Sequence, residues 1–210
     1  SGAVPASLIR APTGAGPALQ VEGVVKSFGG IKAVRGTSFT VQDKTLHALI
    51  GPNGAGKTTA FNLVSGMFAP DAGRVLLEGK PIEGLPPEAV TKAGIGRSFQ
   101  ITNLFPALSV EENIRLAVQA RHASRMNVWK SAKGLSSIAG ETTELLRWTG
   151  LAGAEQADAG SLSYGGQRLL DMGLSLATQP RILLLDEPLA GLAAAERTRV
   201  GDLIKTLSAQ

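Results

Sequence analysis

Gly51-Pro52-Asn53-Gly54-Ala55-Gly56-Lys57-Thr58 satisfies the pattern G-x-x-x-x-G-K-[ST] at every position, and what flanks it decides the fold. Leu46-His47-Ala48-Leu49-Ile50 before it is a short run of strand character. A helix is expected to begin near Gly56, carry Thr59, Ala60, Phe61, Asn62, Leu63 and Val64, and stop at Gly66. Small residues between strand and helix let successive backbone N–H groups curl around phosphate oxygens, and the helix N-terminus adds a favourable dipole. Lys57 supplies a point charge to the phosphates, and Thr58 offers its hydroxyl to Mg2+. A glycine-rich turn without a ligand has no packing reason to end in Lys-Thr.

Outward from this loop, the run Ile182-Leu183-Leu184-Leu185-Asp186 reads as a fully buried parallel strand that ends in a carboxylate. Placed there, Asp186 faces the phosphates through Mg2+. Glu187 follows at once and polarises an attacking water as general base, or else caps a loop. The chain opens with strands, Leu19 to Val25 and Thr37 to Val41, and a turn at Pro70-Asp71-Ala72-Gly73 leads into the strand Arg74-Val75-Leu76-Leu77. From Ser109 to Gly150 the apolar spacing turns helical, with a break expected between Lys133 and Gly140. A further helix is expected from Leu169 to Ala177. The class is therefore α/β, with helices inserted between the two phosphate-related motifs.

At 210 residues the chain has room for one α/β domain carrying a small subdomain. No stretch approaches the roughly 18 apolar residues of a membrane-spanning helix, so a role at a membrane must come through a partner. The 26 glycines exceed the usual share of roughly 7%, as close backbone approaches to a ligand require. The absence of cysteine excludes disulfides, thiolate metal sites and cysteine nucleophiles. The net charge of +4 comes from scattered Lys and Arg, which disfavours a nucleic-acid partner. Residues 1–18, rich in Ala, Gly and Pro, read as a linker or tag before a domain over 19–210.

A phosphate loop and an Asp are shared by many nucleotidases, so function must come from what lies between them. Leu162-Ser163-Tyr164-Gly165-Gly166-Gln167-Arg168 stands a short helix upstream of Leu185-Asp186-Glu187-Pro188 and resembles the signature loop of ABC ATPases. Ser98-Phe99-Gln100 resembles their glutamine loop. The similarity runs from Leu19 to Gln210. It implies a P-loop NTPase core with an N-terminal antiparallel β subdomain and an inserted α-helical subdomain at about 101–178. It also implies a head-to-tail dimer in which ATP on one subunit's loop, Gly51 to Thr59, is closed over by the other's Ser163, Tyr164, Gly165, Gly166 and Gln167. In that arrangement Gln100 contacts Mg2+ and the water, and Phe28 in Lys26-Ser27-Phe28-Gly29 stacks on adenine. Lys57, Gln100 and Glu187 are the catalytic residues implied; Thr58, Gln100 and Asp186 the metal contacts. Membrane permease subunits on the cytoplasmic face are the implied partners.

Tyr164, where most ABC proteins carry Gly, resembles the importers of branched-chain amino acids. The words Arg97-Ser98-Phe99-Gln100, Ser109-Val110-Glu111-Glu112-Asn113 and Ala190-Gly191-Leu192 point the same way, although lipid and lipopolysaccharide exporters share several of them. Two departures accompany these. Ala193 replaces the usual Asp or Asn of the dimer-facing loop. No histidine follows Glu187 to contact the γ-phosphate, so the resemblance implies a missing C-terminal part and poor turnover by these 210 residues alone. His47 reads as a packed strand residue and His122 as a surface residue of the helical subdomain. A soluble ABC machine, a cassette that only binds nucleotide, and a kinase remain the competing readings.

Overall fold

The computed structural model describes residues 16–43, 45, 47, 56–98, 104–123 and 132–208. An antiparallel sheet comes first. Strands β1 (Leu19–Phe28) and β2 (Ile31–Val41) form a hairpin closed by the pair Phe28 and Ile31. The two loop residues, Gly29 and Gly30, both have positive φ (51° and 85°), which matches the right-handed twist of the strands and which glycine adopts without steric cost. Strand β3 (Ala72–Leu77) pairs with the other edge of β1, and β4 (Lys80–Pro81) with β3, so the sheet order is β2-β1-β3-β4.

Helix α1 (Lys57–Val64) starts and stops as its sequence predicts, with Gly56 as N-cap and Gly66 turned to φ 76° just past its end. Its buried face, Ala60, Leu63 and Val64, together with Val90 of α2 (Pro87–Ala93), covers the sheet. Gly66 tolerates no side chain: a β-carbon there would stand 2.7 Å from the Leu85 carbonyl oxygen and 2.8 Å from Val90 Cγ2.

Strands β5 (Ile95–Ser98) and β6 (Ile182–Leu185) form a second, parallel sheet, as the apolar run before Asp186 predicts. Full burial of β6 is not what forms: all four of its residues are half-buried, and β5 is its neighbour among the described residues. Its alternation nevertheless joins two cores. Ile182 and Leu184 pack on the cluster of the antiparallel sheet, while Leu183 packs on the helical cluster.

That helical cluster is built from α3 (Val110–Ala123), α4 (Ala132–Thr149), α5 (Tyr164–Ala177) and α6 (Ala194–Ser208). Ser109 and Glu112 form a capping box that fixes the start of α3: Ser109 Oγ accepts the Glu112 N–H at 3.1 Å, and Glu112 accepts the Ser109 N–H at 3.2 Å. The break expected between Lys133 and Gly140 does not exist. Helix α4 runs through it, because Ile138, Thr142, Leu145 and Leu146 bury one stripe and outweigh the modest cost of glycine in a helix interior.

Both histidines also depart from expectation. His47, the one described residue of 46–50, is exposed and lies outside any strand. His122 is half-buried, with Nε2 2.8 Å from Glu141, which also accepts from Arg121. The polar network joining α3 to α4 thus takes His122 off the free surface. Burial raises the Glu141 carboxyl, but the hydrogen bonds from Arg121 and His122 outweigh it and hold the carboxyl below its ordinary range.

Candidate functional site

Gly51 to Ala55 and Gln100 lie outside the described residues, so the site is built from what surrounds them. Gly56 has φ 82°, and a β-carbon on it would collide with the Ala33 carbonyl oxygen. Glycine at this position therefore lets the start of α1 lie directly against β2. Lys57, Thr58 and Thr59 occupy the first turn of α1, with Thr58 exposed. The same contact sets the hairpin tip near the helix start: Val34 pairs with Lys26, and Phe28 is two residues further along β1.

Phe28 is 44% exposed and packs T-shaped with Phe68, their ring centroids 5.3 Å apart. Lys26 lies 5.6 Å from the Phe28 ring centroid and is itself fixed by Asp71 and the Ala69 carbonyl, each at 2.8 Å. The Phe28 ring is thus partly exposed at the hairpin tip, with Phe68 and Lys26 as its neighbours. Phe68, just past α1, was not anticipated from sequence; a lone aromatic in a turn carries no periodic signal.

Asp186 ends β6, and Glu187 follows, exposed and with φ 47°. A left-handed backbone at a residue with a side chain costs roughly 1 kcal/mol or more and persists where the surroundings impose it. Arg97 of β5 ties this end of the parallel sheet to α1. Its Nη2 is 3.9 Å from Asp186 Oδ2, while Nη1 donates to Asn62 Oδ1 at 2.6 Å and to Ser65 Oγ at 3.0 Å. Burial lowers the Arg97 guanidinium pKa from its ordinary value, and the neighbouring Asp186 pushes back against that shift. Arg97 appeared in the sequence only as part of a family word; its role as a clamp comes from a contact 35 residues away in the chain.

Ser163 caps α5: its Oγ accepts the Gly166 N–H at 3.1 Å and donates to Glu196 Oε1 at 2.9 Å. Tyr164 is 40% exposed, with its ring against Gly191 and the Arg168 guanidinium 5.5 Å from its centroid. Gln167 donates back to the Leu162 carbonyl at 3.2 Å, closing the loop. The loop that resembles an ABC signature therefore exposes Ser163 at the N-terminus of α5, with Gly165 buried beside it, next to the segment that follows Glu187.

No group of three or more His, Asp or Glu residues is placed to hold a metal among the described residues.

The ABC transporter family pattern matches residues 34–190, spanning the start of α1, the signature loop and the acid pair. The chain belongs to this family and is an ATPase of the cassette type. It is 36% identical over 200 residues to the high-affinity branched-chain amino acid transport ATP-binding protein BraF of Pseudomonas aeruginosa, covering 92% of this chain and 78% of that one. The ADP conformation of MJ1267, an ATP-binding cassette of an ABC transporter, superposes with a TM-score of 0.78 at 28% identity, over 92% of this chain and 77% of that one. A dimeric post-hydrolysis cassette, MJ0796 bound to ADP and Pi, gives 0.75 at 25% identity over 90% and 82%. The P-loop NTPase fold with its antiparallel and helical parts is thereby established for this chain.

Proposed function

We infer that the chain is the ATP-hydrolysing subunit of an importer for branched-chain or related amino acids, working as one of two cassettes beneath membrane permease subunits. The observation that carries this reading is the signature loop with Tyr164 seated on Gly191, in a chain similar to BraF over nearly its whole length. No helix among the described residues is long and apolar enough to cross a membrane, and in this reading permease subunits supply the span. A shallow, open apolar groove lined by Phe105, Leu116, Ala117, Ala120 and Leu174 offers such a permease a surface for a short amphipathic helix.

In this reading Gly51 to Thr59 cradle the triphosphate, Lys57 neutralises its β and γ groups, and Phe28 stacks on the adenine. Thr58, Gln100 and Asp186 would hold Mg2+, which when bound would supply charge neutralisation on the phosphates. Glu187 accepts a proton from the water whose oxygen bonds the γ-phosphorus as the bond to ADP breaks. Ser163, Gly165 and Gly166 of the second cassette offer a hydroxyl and N–H groups to the γ-phosphate. ATP binding closes the dimer, hydrolysis opens it, and the helical part passes the motion to the permease.

The test is uptake of radiolabelled leucine by membrane vesicles carrying the whole transporter. Uptake and ATP turnover are expected together, and both should vanish in Lys57→Ala. Turnover without amino-acid uptake, but with lipid movement, would replace the importer reading by an exporter.

A further inference from the structure

Glu196 lies on the first turn of α6 and reaches back over two loops at once. Its Oε1 accepts the Ser163 hydroxyl proton at 2.9 Å, and its Oε2 accepts the Ala193 backbone N–H at 3.2 Å. The carboxylate also lies hard against Gly165, where an added β-carbon would overlap it. Ala193 is the N-cap position of α6 and has no polar side chain, so Glu196 supplies the returning half of a capping box.

A serine hydroxyl has one proton to donate. Here that proton goes to Glu196, while an Oγ lone pair receives the Gly166 N–H. Donation from Ser163 to a phosphate oxygen of the partner's ATP therefore requires the bond to Glu196 to break. The same carboxylate brings negative charge beside the N-terminus of α5, where the dipole favours an anion. An arriving triphosphate meets a resident competitor for both the proton and the local field.

Resting on the ATPase reading above, we propose that Glu196 is a positioning residue that holds the signature hydroxyl in a resting orientation, and that nucleotide on the partner engages Ser163 only by displacing it. The bond from Ala193 survives that displacement. Glu196 thus stays anchored to the segment following Glu187 while Ser163 is released.

The experiment compares the full-length ATPase in its dimeric transporter complex as wild type, Glu196→Gln, Ser163→Ala and the double variant. Gln keeps the shape and an oxygen for Ala193 but removes the charge. The KM for MgATP is expected to fall about threefold to tenfold in Glu196→Gln, with kcat changed by less than about twofold. In the Ser163→Ala background the same substitution should lower KM clearly less than in wild type, because only the effect of the charge remains once the competition for the hydroxyl proton is gone. Glu196→Asp, which keeps the charge and helix cap but falls a methylene short of Ser163, should lower KM in the same direction and gives a second reading if the Gln variant folds poorly. An unchanged or raised KM in both Glu196 variants, or an equal fall in both backgrounds, overturns the proposal. Wild-type turnover that survives Lys57→Ala overturns the ATPase reading instead, so the two failures are distinguishable.

Discussion

Ser98 donates a hydrogen bond to Asp171, joining the end of β5 to the middle of the signature helix across 73 residues of sequence. Asp171 is 1% exposed. Ser175, one turn further along α5, donates to the Arg97 carbonyl at 3.1 Å, so α5 grips β5 by two hydroxyl bonds directly before the glutamine-containing segment. Helix α5 and strand β5 are consequently fastened to each other at two points.

Burial pushes the Asp171 carboxyl up to about 6, and the Ser98 hydrogen bond and the nearby Arg168 charge draw it down only part of the way. Unfolded, the carboxyl loses its proton near 3.8. Between these values the folded chain binds more protons, so Asp171 contributes less stability as pH rises, and its penalty is complete above about 6. Asp171→Asn keeps an acceptor for Ser98 without the charge. Its stability relative to wild type should be greatest at pH 7 and shrink by up to about 3 kcal/mol as pH falls to about 4. Urea denaturation at a series of pH values measures this, with the other carboxylates cancelling in the difference. A gap that does not vary with pH would refute it.

Arg97→Ala should cost about 3 kcal/mol of stability, because it leaves Asp186 and Asn62 without the cation between them. Arg97→Lys should not restore the loss, since an ammonium cannot serve Asp186, Asn62 and Ser65 in the forked geometry of the guanidinium. Thermal melts of the three proteins check this, and equal stability of the Lys variant and wild type would count against the clamp.

Phe28→Ala should weaken ATP and ADP alike by roughly fivefold to a hundredfold, the range for loss of one base-stacking contact. Phe28→Trp should restore most of the affinity. Titration calorimetry with both nucleotides is the measurement; affinity unchanged in the Ala variant would remove Phe28 from the site.

Glu187 combines a left-handed backbone with an exposed carboxylate. Glu187→Gln should keep nucleotide binding and lower turnover by about 10² to 10⁴. Glu187→Gly should lose turnover equally yet gain up to about 1 kcal/mol of stability, because glycine adopts φ 47° without steric cost. Phosphate-release assays and denaturation curves on the same preparations separate chemistry from strain.

Residues adjacent in the chain were legible from sequence. The phosphate loop announces helix α1 because glycine spacing, Lys and Thr act within a single turn, and the run before Asp186 announces a strand because four apolar residues end in an acid. The supposed break at 133–140 failed because a local glycine penalty is small beside burial of a helical stripe, which is a tertiary quantity. Arg97, Asp171 and Glu196 showed nothing of their roles in the sequence, since each acts on a group 33 to 73 residues away. Sequence by itself determined the phosphate chemistry and the family. Tertiary structure alone decided which strand pairs with the one that ends in Asp186, which carboxylate holds Ser163, and how α5 is fastened to β5, because such pairings depend on which surfaces the packed cores bring within hydrogen-bonding distance.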